Sequence, residues 1–112
     1  MIQLSSVYYN SIEVGKLFQV IELQGEYEPW WFFDDWKKQI SRIKTFEIFD
    51  EAFNEYQQVF TNLQNEYPNY QTKKDYLSAF WDEKQNRYCL ECDDDIQVFH
   101  SVMLVREFKV IE

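Results

Sequence analysis

The stretch IQVFHSVMLV, residues 96–105, carries apolar side chains at both odd and even positions. Successive residues of a strand point to opposite faces of a sheet, so this pattern predicts a central strand that is covered on both sides. The stretch LFQVIEL, residues 17–23, has the same character and predicts a second strand buried on both faces. A sheet built on these two stretches is therefore the expected centre of the fold.

Shorter strands are predicted around these two, where apolar and aromatic residues cluster between turn signals. The expected strands are 43–49, 76–81, 87–91 and 108–111, with a hairpin turn at 82–86 and a loop at 69–75. Strands that follow one another through short connections favour antiparallel pairing.

Two helices are predicted. The first would begin near Pro29 in the stretch GEYEPWWFFDDW, residues 25–36, since proline fits a first helical turn and early acids suit the helix dipole. The second covers residues 52–67, with Asp50 as its N-cap and Pro68 at its end. Its apolar residues recur at spacings of three and four, and polar residues fill the opposite face.

These elements predict one domain of the α+β class, with a mainly antiparallel sheet and two helices packed on one face of it. A length of 112 residues suits a single domain, which is expected to cover residues 17–112. Residues 1–16 show no clear period, and two interpretations stay open for them. They form an N-terminal arm, or they are a translated leader ahead of a natural start at Leu17.

The aromatic segment, residues 27–36, is expected to have an inner and an outer side when it is drawn as a helix. The expected buried stripe consists of Phe32, Phe33 and Trp36. The expected protein-contact site consists of Trp30, Trp31, Asp34 and Asp35. The prediction follows because Trp31 falls opposite the buried stripe, among charged residues, with Trp30 on the flank. The alternative is that every ring of the segment fills the core.

A candidate metal site consists of Cys89, Cys92, Asp94 and His100. Such a set offers the four ligands that tetrahedral zinc takes and would make the chain a metal- or small-ligand-binding domain. Residues three apart in a regular strand point to opposite faces, so the two thiols converge only if the chain turns between them. The alternative is a pair of reduced thiols that pack beside neighbouring side chains.

The net charge of −9 disfavours direct nucleic-acid binding, because basic residues that neutralise phosphate supply most of that affinity. A basic protein partner suits an acidic surface better. No apolar run is long enough for a membrane helix and no export signal is legible, so a cytoplasmic location is expected. No catalytic motif is legible either, which predicts a non-enzymatic protein with no cofactor beyond the candidate zinc.

Four stretches form a specific combination: FQVIEL, GEYEPWWFFDDW, YLSAFW and CLECDDDIQVFH. With them the chain resembles, over residues 18–104, the domain of unknown function 1033 family of small Gram-positive bacterial proteins, which includes the competence protein ComN. The resemblance implies a link to post-transcriptional control of competence. It also implies a protein partner, a DivIVA-like coiled-coil scaffold at the cell pole or septum, but no activity and no ligand residues.

Overall fold

The computed structural model of the chain describes residues 17–90 and 94–111. Its helix and strands are, in order, β1 (Phe18–Gly25), β2 (Ile40–Phe46), α1 (Phe49–Glu66), β3 (Asn69–Lys73), β4 (Leu77–Trp81), β5 (Asn86–Cys89), β6 (Asp94–Gln97), β7 (Phe99–Arg106) and β8 (Lys109–Val110). Two short 3₁₀ turns, Pro29–Trp31 and Trp36–Gln39, lie between β1 and β2. The fold is therefore α+β, as predicted, with one α-helix instead of two in the described residues.

Strand β7 lies at the centre of the main sheet. The strand order is β2-β1-β7-β4-β3, every pair is antiparallel, and β8 pairs with the end of β7. Met103 lies opposite Ile21, and Leu104 lies opposite Val20, and all four side chains are buried. Of the two strands predicted to be buried on both faces, the one at residues 17–23 is confirmed as β1 and the one at residues 96–105 is confirmed as β7 over residues 99–105, and the short last strand is confirmed as β8.

Helix α1 covers one face of this sheet. The cluster between helix and sheet comprises Val20, Ala52, Tyr56, Val59, Phe80, Val102 and Leu104. The predicted amphipathic helix is confirmed, although Ile48 is its N-cap and Asp50 lies within the first turn, where a negative charge still suits the dipole. In the described part of the chain, no helix has the length and apolar character needed to cross a membrane.

The aromatic segment covers the opposite face of the sheet. The cluster there comprises Ile21, Leu23, Leu77, Met103 and Val105, with Trp30, Phe32, Trp36, Ile40 and Val110 packed against it. The prediction of two helices on one face is therefore wrong, because a single helix lies on one face and an irregular segment on the other. The cause is Phe32, whose φ of 49° is left-handed and ends the helical phase after one 3₁₀ turn.

Strand β3 corrects the loop predicted for residues 69–75. It pairs with β4 and forms an edge of the sheet, although four of its five side chains are exposed. The chain reverses at Lys74 and Asp75, whose φ values of 53° and 65° are both left-handed. Two left-handed residues in succession are typical of the tight turn that matches the twist of a hairpin.

Strands β5 and β6 form a separate two-stranded sheet. Because β5 pairs with β6 and not with β4, the hairpin predicted across residues 82–86 is wrong. The Gln97 side chain donates from Nε2 to the carbonyl oxygens of Asp82 and Gln85, both at 2.8 Å, and of Val98 at 3.1 Å. These hydrogen bonds connect the last residue of β6 to the segment between β4 and β5 and to the residue that precedes β7. Val98 also divides the long predicted strand into β6 and β7.

Candidate functional site

The aromatic segment follows no helical period once it leaves β1. Gly25 ends β1 close to the second 3₁₀ turn, where the flexible end of the Gln39 side chain lies against it. Pro29 begins the first 3₁₀ turn, which suits its fixed φ and its missing N–H. The Trp36 amide donates to the Phe33 carbonyl oxygen at 2.8 Å and opens the second turn. Inner and outer side chains therefore alternate irregularly along the segment.

Three rings of the segment project into solvent, and the middle one, Phe33, contacts the other two. We call this surface the aromatic patch, and it consists of Tyr27, Trp31 and Phe33, whose exposed fractions are 42%, 56% and 45%. The ring centroids of Tyr27 and Phe33 lie 4.7 Å apart, and those of Trp31 and Phe33 lie 6.3 Å apart with only 16° between the ring planes. Contiguous apolar surface of this kind marks candidate interaction sites on folded domains.

The backbone and a hydrogen bond hold the Trp31 ring in position. Its Nε1 donates to Glu28 Oε1 at 3.1 Å. The left-handed backbone of Phe32 lets both neighbouring rings face outward while its own ring packs on the sheet. A left-handed conformation at a bulky residue costs roughly 1–2 kcal/mol. Strain of this kind persists only where the surrounding contacts enforce it, and it is concentrated at functional sites.

Trp31 is exposed, as predicted, and so are Asp34 and Asp35. Trp30 is half-buried and packs toward the sheet. The prediction that Phe33 is buried is wrong, because the turn at Phe32 reverses the side on which the next ring emerges. The helical phase that underlies the prediction does not exist in this segment.

Lysine ammonium groups lie over two of the inner rings, and one of them belongs to the residue that follows its tryptophan. The Lys73 Nζ atom lies 4.9 Å from the ring centroid of Trp30, and the Lys37 Nζ atom lies 5.8 Å from that of Trp36. The Lys37 ammonium is also 4.7 Å from the Phe108 ring. Both tryptophans are therefore engaged by cation–π contacts within the domain.

Acidic residues flank the aromatic patch in the sequence. Residues 26–35 contain four acids, Glu26, Glu28, Asp34 and Asp35, and no base. Glu26 forms an ion pair with Arg87 of β5, which joins the small sheet to the start of the aromatic segment. Tyr27 lies between two of these acids and was outside the predicted site, as was Phe33. The flanking glutamates of Tyr27 are the one sequence signal that favours its exposure.

A polar cleft lies at the end of α1, away from the aromatic patch. Its volume is about 250 Å³, and Glu66 and Tyr67 are among the residues that line it. The His100 ring stacks on the Tyr67 ring with centroids 4.4 Å apart, and His100 Nε2 lies 2.7 Å from Gln85 Oε1. Burial lowers the pKa of His100, and the Glu66 carboxylate opposes that shift without cancelling it.

The free energy of unfolding is expected to fall as the pH drops below 6.5, the ordinary pKa of histidine. The folded pKa of His100 is lower, so the unfolded chain binds the proton first and gains stability relative to the fold. His100 is the only histidine, so its replacement isolates the effect. Urea unfolding at about pH 7.5 and about pH 5.5 should show a smaller pH dependence in His100→Gln than in the unaltered protein. An equal dependence in both would contradict the assignment.

The candidate metal ligands are only partly within the described residues. Cys92 lies outside them. The backbones of Cys89 and Asp94 pair with each other across the small sheet, so the chain reverses direction between them. His100 belongs to β7 and contacts Tyr67, and the four-ligand site stays a prediction.

Comparison with known proteins gives one result that bears on identity. A family model described as "Protein of unknown function (DUF1033)" matches residues 17–112. No curated protein and no solved structure matches the chain. The matched region includes the aromatic patch and the polar cleft, so functional inference rests on the surfaces described above.

Proposed function

This chain belongs to the DUF1033 family, and from its surface we propose that it is a non-enzymatic protein-interaction module that docks a partner on the aromatic patch. The observation that supports the proposal is the contact of the exposed Phe33 ring with two further exposed rings, Tyr27 and Trp31. Tryptophan and tyrosine are enriched at interaction hot spots, because a large ring provides much contact area for few rotatable bonds.

Solvent exposure leaves part of the hydrophobic free energy of these rings unused. Full burial of a large apolar side chain contributes roughly 1.5–3 kcal/mol, so about half of that stays available at each half-exposed ring. A partner that covers the patch recovers this contribution. The Trp31–Glu28 hydrogen bond also supports docking, because a ring that is already held in place loses less entropy on binding.

The partner we propose is a coiled-coil scaffold of the DivIVA type, on the basis of the family resemblance. Docking on such a scaffold would place the domain at the cell pole or septum. It would also connect the domain to control of a competence transcript through a protein contact. A net charge of −9 is easier to reconcile with an indirect link to RNA than with a direct one.

Replacement of Trp31 by alanine is expected to weaken the scaffold complex by at least about tenfold, which corresponds to about 1.4 kcal/mol. The measurement is isothermal titration calorimetry with the purified chain and the purified scaffold protein of the same bacterium. The fold should be unaffected, since the ring is 56% exposed.

The matched control is Ile43→Ala, which also shortens an exposed apolar side chain but lies on β2, outside the aromatic segment. Its affinity should stay within about twofold of the unaltered protein, a change of less than 0.5 kcal/mol. Equal affinities for Trp31→Ala and the control would refute the docking site. Absence of any binding by the unaltered protein would refute this choice of partner.

A further inference from the structure

Trp31 differs from the neighbouring tryptophans in the contacts of its ring. Lys73 lies over Trp30 and Lys37 lies over Trp36, at 4.9 and 5.8 Å from the ring centroids. Among residues 17–90 and 94–111, no lysine or arginine lies over Trp31. Of the three tryptophans in this segment, the one most open to solvent is thus the one over which no described lysine or arginine lies.

One acid contacts this ring and two more lie close to it in the sequence. Glu28 accepts the indole hydrogen bond, so one carboxylate lies at the ring edge. Asp34 and Asp35 follow Phe33 directly and are exposed, and neither forms an ion pair with a described residue. A cation that approached the ring face would meet the ring quadrupole and the Glu28 carboxylate at the ring edge, and two further exposed acids follow within four residues of Trp31 in the sequence.

We propose that the aromatic patch is a cation-recognition site that takes an arginine side chain of the protein partner, with the guanidinium on Trp31. This inference rests on the proposed docking function and specifies the chemistry of the partner. Arginine suits the site better than lysine, because its planar group is weakly hydrated, stacks on aromatic rings and donates to carboxylates in pairs. The Phe33 ring stacks against Trp31 with 16° between the ring planes and adds apolar surface next to the site.

The energetic expectation follows from known cation–π contacts. Such contacts range from about 0.5 kcal/mol when exposed to about 2 kcal/mol when desolvated, which is between roughly twofold and thirtyfold in affinity. Most of this gain in binding free energy should depend on the positive charge of the partner's side chain. A neutral side chain of the same shape retains the packing and loses the electrostatic attraction.

The test uses three short acetylated and amidated peptides of sequence Ser-X-Ser-X-Ser, in which X is arginine, lysine or the neutral isostere citrulline. Each is titrated into the ¹⁵N-labelled full chain, and the indole N–H signals are followed by NMR. Trp31→Phe identifies the Trp31 signal by its absence. We expect the chemical-shift change of that signal to be largest with the arginine peptide and smaller with the lysine peptide. With the citrulline peptide it should be at least about twofold smaller than with the lysine peptide.

Two variants with the same change in net charge separate a local site from general attraction to an acidic protein. Asp34→Asn with Asp35→Asn removes the carboxylates next to the patch and should weaken the arginine-induced shift. Glu47→Gln with Glu51→Gln removes two exposed charges outside the aromatic segment and should leave the shift almost unchanged. Equal weakening by both pairs would overturn the proposal, as would a shift spread evenly over all four tryptophan signals.

Two further results would also overturn it. One is an equal response to the arginine and citrulline peptides, and the other is no Trp31 response to arginine at up to about 10 mM, where millimolar affinities are measurable. These outcomes are distinct from failure of the docking function. Suppose that Trp31→Ala disrupts the scaffold complex but the Trp31 signal responds equally to the citrulline and arginine peptides. The docking function would then be supported and the cation preference of the site would be refuted.

Discussion

Replacement of Phe80 by alanine is expected to lower the free energy of unfolding by about 3–5 kcal/mol. Phe80 is fully buried on β4, in the cluster between α1 and the sheet. Its ring centroid lies 5.0 Å from that of Phe60 on the helix and 5.7 Å from that of Tyr70 on β3. Truncation would therefore leave a cavity at the point where helix, central sheet and edge strand meet.

The control for this prediction is Phe33→Ala, which removes the same ring from the aromatic patch. That ring is 45% exposed, so its loss should cost less than about 1 kcal/mol. Urea unfolding followed by circular dichroism measures both variants. Similar losses for the two would mean that the division between core rings and surface rings described here is incorrect.

Replacement of Phe32 by alanine is expected to cost about 2–3 kcal/mol, while replacement by glycine should cost roughly 1 kcal/mol less. Both changes remove a ring that packs on the sheet and meets Trp36 edge to face at 5.1 Å. Glycine also relieves the left-handed backbone, whose φ is 49°. Alanine is ordinarily the more stabilising of the two, so the order of the two variants is the informative result.

Phe46 provides the comparison for that order. It is half-buried at the end of β2, within a regular strand. Phe46→Ala should be more stable than Phe46→Gly by about 0.5–1 kcal/mol, the usual order. If Phe32→Gly is also the less stable of its pair, the left-handed turn that directs Trp31 outward is not present in solution.

The central strands were predictable from sequence because their burial on both faces leaves a continuous apolar run. The same holds for α1, whose buried residues repeat at helical spacing. Strand β3 could not be recognised in this way, because an edge strand with polar side chains resembles a loop. The pairing of β5 with β6 depends on which strands meet in space, and local sequence does not specify that.

The aromatic segment shows the limit of periodicity most clearly. Pro29 and the nearby acids indicate a helix, and a constant 100° per residue then assigns Phe33 to the core. The left-handed turn occurs at Phe32, a bulky residue, and not at a glycine that would have signalled it. The exposure of Trp31 was therefore predicted correctly, although the helix from which it was predicted does not form. The exposure of Tyr27 and Phe33 was not predicted.

The docking proposal requires Trp31 to lie at the interface with the partner, while Trp30 and Trp36 pack against the sheet within the domain. Hydroxyl-radical footprinting with mass spectrometry, on the free chain and on the chain saturated with the scaffold protein, tests this most directly. We expect Trp31 to be oxidised fastest of the three in the free chain and to fall to the rate of the two inner rings in the complex. A Trp31 oxidation rate that is the same with and without the scaffold would contradict the account.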